Sequence, residues 1–453
     1  MKRYLGFPVA AFAAIIMQGC IGTGGSSAPP PNNVVVVAKD SRAVVTWDTV
    51  PGVEYWLFRA NGSGVTPENC SSMPLCLSDL NVTSPATVAS LVNDLPYSFS
   101  INGRTDGGPG GAGSLAVSGT PRKAGATWNA PVTAVIPGTT VLRGVAYGAS
   151  GTKFVAAGEG GALYSGVVNT NAAATGLTEI VWTALTNPLS ATNFNAVNYD
   201  VARAKFVAVG AGGKVIANVP SVDAVWTEHT SGTNEHLHAV ANNGAGVSIA
   251  AGDHGKIIYN ADGGALWTVA TAVPSAATAI SLYGAAYGNS TLAQNVFVAV
   301  GASRTLLYST DSGVNWLAGT CSCTGTPDLK AVTYGGLNAS GNSIFVAVGA
   351  GGTVLTSENG INWTQLTTTG ILSTSNLTSI TYSTGRRFVA VADDGNVYYS
   401  DYYNTGTTTG NGAVTWTQVT PSPVSASPLH AVATGGLFDY LTVGAGGVNL
   451  YAD

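Results

Sequence analysis

The pattern of apolar and polar positions repeats along the chain from residue 126 onward. A short apolar segment of the type Phe-Val-Ala-Val-Gly occurs seven times, and its copies begin at Phe154, Phe206, Val247, Phe297, Phe345, Phe388 and Tyr440. Each copy follows another apolar segment and precedes a Gly-rich turn, a third apolar segment and a segment that carries Trp. Short strands at regular spacing, repeated many times, are typical of β-propellers, in which each repeat is one four-stranded blade. The pattern predicts a seven-bladed propeller over residues 126–453.

The Trp positions give the phase of the repeat. The propeller region holds seven of them, at Trp128, Trp182, Trp226, Trp267, Trp316, Trp363 and Trp416. The first precedes the first full repeat, and the last repeat stops after its third strand near Tyr451. Seven Trp segments match seven repeats only if the Trp128 strand completes the last blade. We therefore expect a ring closed by strands from both ends of the region, which would protect the sheet edges.

A second type of pattern occupies residues 34–122, where apolar and polar residues alternate and Gly or Pro interrupts the runs. This predicts a β-sandwich of the immunoglobulin-like kind. The segment resembles a fibronectin type III domain through its core Trp strand Val45-Thr46-Trp47-Asp48, the tyrosine corner Leu95-Pro96-Tyr97 and the exit Thr120-Pro121. The resemblance implies a spacer or adhesive module, and the segment offers no catalytic constellation.

The turn before Trp carries a further signature in the propeller region. Ser309-Thr310-Asp311-Ser312-Gly313-Val314-Asn315-Trp316 matches the Asp-box of sialidase-type propellers, the segment 260–267 is a close copy and the segment 357–363 is a shortened one. Together with the Val-Gly-x-x-Gly hairpins, these turns make the region similar to photosystem II stability/assembly factor-like and sialidase-type (BNR/Asp-box) propellers. The resemblance implies a fold, and it implies that the Asp-box is structural. One fold hosts many functions, so the photosynthetic role is not transferred.

The N-terminal segment resembles a bacterial lipoprotein signal. Residues 1–19 combine Lys2-Arg3 with an apolar run that is too short to span a membrane, and they end at Gly19 before Cys20. The resemblance implies lipidation of Cys20, and Ile21 in the next position implies sorting to the outer membrane; ordinary signal cleavage is the alternative. Residues 20–33 are rich in Gly, Ser and Pro, which predicts a flexible tether.

The cysteines fit an exported protein. Five are present, and assigning Cys20 to lipid leaves two local pairs. We expect a disulfide between Cys70 and Cys76. Cys321 and Cys323 are closer together and would be strained if bridged, and neither they nor the histidines His229, His236 and His238 have the further ligands that favour a metal site. We predict no metal and no cofactor.

Charge narrows the range of partners. Eighteen basic and 23 acidic residues give a net charge of −5, and charged residues make up only 9% of the chain. Nucleic-acid binding requires a basic surface, so we expect no nucleic-acid partner. The expected partners are a protein or glycan at the cell surface, and the membrane through the lipid anchor.

The second residue of each inner strand marks the candidate binding site, since these residues should form one ring at the propeller mouth. The ring comprises Arg143, Asn195, His238, Tyr283, Lys330, Thr378 and His430. The Gly-rich turns should add Glu159, Asp253, His254, Arg304, Asp393 and Asp394 to the same face. These residues predict a non-enzymatic binding or assembly scaffold, and a wet channel without a ligand is the alternative for the ring.

The second functional hypothesis is a carbohydrate-active enzyme of the sialidase-like class, either a glycoside hydrolase or a lyase. It needs two facing carboxylates, for which Glu159 with Asp253 or Asp393 are the candidates. A sialidase would also need several arginines around the substrate carboxylate, and only Arg143 and Arg304 are available on this face. We assign no catalytic residue.

Overall fold

The computed structural model describes residues 25–123, 125–130, 136–148, 153–169, 179–219, 222–289, 295–337, 343–367, 370–383, 387–400, 415–435 and 438–452. The predicted signal segment and Cys20 lie outside these ranges. The described residues form two compact units: the first lies before Thr120, and the second runs from Thr120 onward and also includes Val37–Ala43 and Val88–Asp94. Both are built from β-strands joined by turns. No helix within the described ranges has the length and apolarity needed to cross a bilayer.

The strands before Thr120 form two antiparallel sheets. One comprises Ser27–Ala28, Val53–Asn61, Leu77–Val82, Tyr97–Thr105 and Val117–Gly119, and the other comprises Val35–Lys39, Arg42–Thr46 and Ala86–Val88. Ala43 and Val45 are buried in alternation within Arg42–Thr46, residues 97–103 are buried without interruption, and Trp47 packs edge-on against Tyr55 with ring centroids 5.6 Å apart. Ser27–Ala28 falls within the predicted flexible tether, but it pairs with Gly103 and Arg104. This pairing occupies the part of the Tyr97–Thr105 edge that Val117–Gly119 leaves open.

The second unit consists of seven antiparallel sheets, which we number blades 1–7 in order of their inner strands. Their four strands, from the inside outward, have the following bounds: Leu142–Gly148, Lys153–Gly158, Leu163–Asn169 and Glu179–Ala184 in blade 1; Phe194–Asp200, Lys205–Gly210, Val215–Val219 and Val222–His229 in blade 2; Leu237–Asn242, Ser248–Gly252, Ile257–Asn260 and Thr268–Val269 in blade 3; Leu282–Asn289, Asn295–Gly301, Thr305–Ser309 and Leu317–Ala318 in blade 4; Leu329–Leu337, Ser343–Gly349, Val354–Ser357 and Asn362–Gln365 in blade 5; Leu377–Ser383, Arg387–Ala392, Val397–Ser400 and Trp416–Gln418 in blade 6; Leu429–Gly435, Phe438–Gly444, Asn449–Ala452 and Trp128–Asn129 in blade 7.

Ring closure follows the prediction. Trp128 pairs with Ala452 and Asn129 with Tyr451, so the first Trp strand is the outer strand of blade 7. The inner strands of blades 7 and 1 pack against each other like those of any other neighbouring pair. The predicted all-β fold with a seven-bladed propeller is therefore confirmed.

The Phe-Val-Ala-Val-Gly strands are second in each blade and are buried on both faces. In blade 2, Phe206, Val207, Ala208 and Val209 are all at most 3% exposed. Each blade lies between two others, so both faces of its sheet are covered and the strand reads as a continuous apolar run rather than an alternating one. Phe206 packs with Trp226 of its own blade and Val155 of blade 1.

The Asp-box turn of blade 4 is held by its own side chains. Asp311 accepts hydrogen bonds from the backbone N–H of Asn315 (2.9 Å) and from Ser309 Oγ (2.8 Å), and Trp316 Nε1 donates to Gly313 O (2.9 Å). Gly313 adopts φ +86°, which a residue with a side chain rarely accepts. These carboxylate oxygens are used within the turn, as a structural role for the Asp-box requires.

The segments that connect blades also cover sheet edges. After blade 4, Thr320–Ser322 runs parallel to Asn362–Thr364 of the outer strand of blade 5. Single bridges link Thr230 to Leu266 and Ala272 to Asn315 in the same sense. Each of these pairings occupies backbone groups that an outer strand would otherwise expose.

The remaining regular structure of the described residues consists of short 3-10 turns. They span Cys70–Ser72, Glu159–Gly161, Ala211–Gly213, Asp253–Gly255, Ser275–Ala277, Ala302–Arg304, Ala350–Gly352 and Ala445–Gly447.

Candidate functional site

A β-bulge interrupts the inner strand of every blade at its second residue. In blade 1, Leu142 pairs with Gly158 and Gly144 with Ala157, so Arg143 has no residue opposite it. The other six blades show the same register shift. A bulge changes the direction in which a side chain points. This explains how a polar residue can follow a fully buried Leu or Phe in each inner strand.

The bulged residues are the seven that the sequence analysis placed in one ring, and they line one central cavity of about 590 Å³: Arg143, Asn195, His238, Tyr283, Lys330, Thr378 and His430. We call them the rim ring. Two residues further along each inner strand, seven aliphatic side chains line the same cavity and form what we call the aliphatic ring: Val145, Val197, Val240, Ala285, Val332, Ile380 and Val432. The cavity is therefore polar at the strand ends and apolar along its inner wall.

Several rim side chains bind the backbone of the next blade. Asn195 Nδ2 donates to Leu237 O (2.9 Å), and Thr378 Oγ1 donates to Leu429 O (2.7 Å). His430 Nδ1 lies 2.8 Å from Leu142 O, across the closure between blades 7 and 1. In all three cases the acceptor is the carbonyl directly before a bulged residue. The rim ring thus ties neighbouring blades together while it lines the cavity.

His238 has partners at both ring nitrogens. Its Nε2 is 2.7 Å from Asp253 Oδ1, and its Nδ1 is 3.3 Å from Asn195 Nδ2, which can only donate. Burial by itself would raise the pKa of Asp253, but hydrogen bonds from His238 and Ser281 hold this pKa below its ordinary value. Because Asp253 stays ionised and both nitrogens are occupied, His238 is a positioned side chain rather than a free general base.

An aromatic and cationic contact follows along the rim. The rings of His238 and Tyr283 have centroids 5.6 Å apart, and Lys330 Nζ lies 3.9 Å from the centre of the Tyr283 ring. Lys330 also pairs with Asp328 at 3.0 Å. A hydrogen bond from the backbone N–H of Ser303 lowers the pKa of Asp328, and the bond from Lys330 lowers it further.

The predicted turn residues separate into different places. Asp393 lines the central cavity and accepts a hydrogen bond from Asn376 Nδ2 (3.0 Å). Glu159 accepts from Arg143 Nε (3.0 Å) but lines a neighbouring cavity of about 690 Å³. Asp253 supports His238 from outside the cavity lining. The remaining three bind elsewhere: His254 pairs with Glu235, Arg304 donates to Gly325 O, and Asp394 accepts from Ser375 and Asn396.

Among the cavity residues that the sequence analysis did not predict are Asp328, which is charged, and Asn376, which carries an amide. Each lies two positions before a rim residue, and each accepts the backbone N–H of the preceding blade's turn, from Ser303 at 3.0 Å and Gly351 at 3.1 Å. Asn193 and His236 do the same for Gly160 and Gly212. The signal was present as polar residues at that position in several repeats.

Neither the carboxylates nor the histidines gather in one place. Of Glu159, Asp253 and Asp393, only Asp393 lines the central cavity, and Arg304 does not line it. His229, His236 and His238 bind Trp267, Gly212 and Asp253 respectively. Within the described ranges, no group of three or more His, Cys, Asp or Glu side chains is placed to hold a metal ion.

The four cysteines in the described residues form two pairs. Cys70 and Cys76 are disulfide-bonded, with Cα atoms 5.4 Å apart. Cys321 and Cys323 also form a pair, with Cα atoms 5.3 Å apart, at the start of the segment that covers blade 5.

Comparison with known proteins supports the fold. No protein-family model and no curated protein matches the sequence. Among solved structures, YCF48 from Cyanidioschyzon merolae matches with a TM-score of 0.51 at 14% identity, covering 72% of this chain and 99% of that one. A structure of YCF48 bound to D1 peptide matches with a TM-score of 0.49, also at 14% identity, covering 72% of this chain and 94% of that one. YCF48 is a photosystem II assembly factor with a β-propeller fold, so the predicted likeness to such propellers is confirmed at the level of the fold.

Proposed function

We propose that the protein is a non-enzymatic lipoprotein of the cell envelope, whose propeller binds a protein or glycan partner at the central cavity. The observation that carries this proposal is the convergence of all seven rim residues on one cavity. Seven bulges place seven polar side chains of six kinds around one opening, while the second strands of the blades behind them keep a nearly uniform apolar sequence. A surface of this kind provides hydrogen-bonding groups on a rigid frame, which favours selective binding.

Binding is favoured over catalysis by how the carboxylates of the cavity are engaged, since Asp328, the second carboxylate in the lining beside Asp393, pairs with Lys330. The hydrolase hypothesis needs two carboxylates facing one substrate bond, and only one of its three candidates lines the cavity. His238, the obvious base, has both nitrogens engaged.

The proposal also concerns the location of the protein, and this part rests on the N-terminal region. Lipidation of Cys20 would tether the chain to the outer membrane, and the first unit would act as a fibronectin type III-like spacer. The strands before Thr120 divide into a three-stranded and a five-stranded sheet, which supports a fibronectin type III-like sandwich. Labelling of the expressed chain with a radioactive fatty acid tests the anchor. Label that persists in Cys20→Ser would overturn it.

Partner binding is tested with the full-length chain as bait. Envelope extracts and a glycan array are probed with the unaltered protein and with the double variant Lys330→Ala/Asn195→Ala, which changes the rim without touching the core. Lys214→Ala is the control, because Lys214 lies at a turn outside the central cavity and pairs with Glu228. We expect a partner that is lost only with the rim variant. Glycan hydrolysis that disappears in Glu159→Ala or Asp253→Ala would overturn the non-enzymatic proposal.

A further inference from the structure

The charged groups of the rim are unevenly distributed. Blades 2, 3 and 4 contribute an amide, an imidazole and a phenol, from Asn195, His238 and Tyr283. The charged side chains in the lining belong to blades 5, 6 and 1. They are Lys330 with Asp328 just before it, Asp393, and Arg143.

Both cations of the rim already have a carboxylate partner. Arg143 binds Glu159, and Lys330 binds Asp328. Asp393 differs, because its side chain accepts from the neutral amide of Asn376 and has no ion-pair partner among the described residues. Of the charged side chains in the lining, the carboxylate of Asp393 is therefore the one without an ion-pair partner among the described residues. An unmatched carboxylate at a cavity mouth attracts a cation.

A second acceptor lies in the neighbouring blade. His430 Nδ1 faces the carbonyl of Leu142, which cannot donate, so this nitrogen carries the proton. Burial lowers the pKa of His430 and outweighs the hydrogen bond with Leu142 O, which raises it. Among the nearby charges, Arg143 lowers this pKa further, whereas Glu159 and Asp393 raise it. The imidazole is therefore neutral at pH 7, and Nε2 presents a lone pair. Asp393 and His430 together offer a carboxylate and a neutral acceptor on adjacent blades of one cavity.

The inner wall of the cavity sets a second requirement on the ligand, namely an apolar part. The aliphatic ring presents seven branched or small apolar side chains to the same cavity, and all but Ala285 are at most 7% exposed. Such a wall cannot satisfy a polar group, but it gains free energy from burying an apolar one. A matching ligand places its apolar part against this ring and its positive charge at the rim.

We propose that the central cavity recognises an alkylammonium-like feature of a protein partner, in which a basic group is immediately next to a large apolar side chain. The basic group binds Asp393 and His430, and the apolar side chain packs against the aliphatic ring. This inference rests on the proposed binding function and specifies its ligand. A cation at the rim with an apolar neighbour deeper in the cavity complements both the charge and the polarity gradient.

The test uses the full-length chain and three matched probes: n-hexylammonium, hexanol and hexanoate, with binding measured by calorimetry at pH 7.5. We expect hexylammonium to bind roughly tenfold more tightly than hexanol, because a charge-assisted hydrogen bond to a carboxylate adds about that much. Hexanoate should bind more weakly than hexanol. Butylammonium, which is two methylenes shorter, should lose roughly another tenfold. Hexanoate binding as tightly as hexylammonium would overturn the proposal.

Variants locate the site. Asp393→Asn should abolish the preference for hexylammonium over hexanol, whereas Asp394→Asn should leave it unchanged, because Asp394 binds Ser375 and Asn396 and does not line the cavity. Ala285→Leu narrows the aliphatic ring and should weaken all three probes. An unchanged preference in Asp393→Asn, with thermal unfolding the same as that of the unaltered chain, would also overturn the proposal.

Two peptides connect the probes to a protein partner. Acetyl-Leu-Lys-amide should compete with hexylammonium, and acetyl-Leu-Glu-amide should not. If no ammonium probe binds but the rim double variant still loses a partner from extracts, the inference about ligand class fails while the proposed function stands. If neither probe nor partner binds, both fail.

Discussion

The rim positions and the second strands each occur seven times, but the second strands keep nearly the same sequence whereas the rim side chains differ. In five of the seven second strands the apolar segment begins with Phe, and both faces of these strands are packed. The rim ring occupies seven equivalent bulges with six kinds of polar side chain. The sequence is therefore kept where both faces of a strand are packed. At the bulges, side-chain chemistry is free to differ from blade to blade. A repeat protein can acquire a site without disturbing its core in this way.

Truncation of a core residue should give the largest effect. Phe206→Ala removes a side chain that is 1% exposed and packs between blades 1 and 2. We expect the free energy of unfolding to fall by about 3–5 kcal/mol, because a cavity remains where the ring was. Denaturant unfolding measures this change. Asn195→Ala, at a rim position of the same blade, should change it by less than about 1 kcal/mol. Similar losses in the two variants would contradict the division into core and rim.

The next largest effect concerns the backbone beside the bulge. A Cβ on Gly349 would lie 1.9 Å from Asp328 O, the carbonyl of the residue just before the inner strand of blade 5. Gly349→Ala must displace main chain next to the cavity, and we expect a loss of about 1–3 kcal/mol. Gly351→Ala, in the turn of the same blade, is a poor control because its φ is +63°. Ala392→Gly in blade 6, where Ala occupies the equivalent position, serves better. It should cost at most about 1 kcal/mol.

The Asp-box provides a smaller effect, which tests whether outer turns are purely structural. Asp311→Ala removes the acceptor for the backbone N–H of Asn315 and for its side chain. We expect a loss of about 1 kcal/mol in the free energy of unfolding. Hexylammonium binding should be unaffected. A change in binding without a change in stability would show that this face takes part in recognition.

The pH dependence gives the smallest effect. The pKa of His430 is lower in the folded state than in the unfolded state, because burial opposes its protonation. The unfolded state then binds more protons as the pH falls through the ordinary histidine range, so the folded state loses stability there and is fully stabilised above it. Lowering the pH from 7.5 to 5 should therefore reduce the unfolding midpoint. His430→Asn should show a smaller reduction. The depressed pKa values of Asp253 and Asp328 matter only below the ordinary range of carboxyl groups, where protonation removes their stabilising bonds.

The sequence was sufficient to predict the architecture, because the repeat can be recognised from the order of residues along the chain. The phase of Trp128 predicted that its strand completes the last blade, and the alignment of repeats predicted which residues share the rim. The bulge could not be read in the same way, since an extra unpaired residue leaves no mark in a pattern of apolar positions. The hydrogen-bond partners of the rim side chains could not be predicted from the sequence either. His430 binds Leu142 O from the neighbouring blade, and such contacts depend on how two sheets are packed rather than on the order of residues within either one.

The pairing of Trp128 with Ala452 also imposes an order of events on the growing chain. Six blades can assemble from strands that are neighbours in sequence. In the seventh, the Trp128–Asn129 strand must remain unpaired until residues from the far end of the propeller have been made. Until then, Trp128 and the apolar side chains of blade 6 that pack against blade 7, such as Val389 and Val391, lack their cover. The ribosome therefore finishes this domain before its last sheet can exist, and a nascent chain that stalls early is left with an exposed apolar seam for chaperones and proteases to recognise.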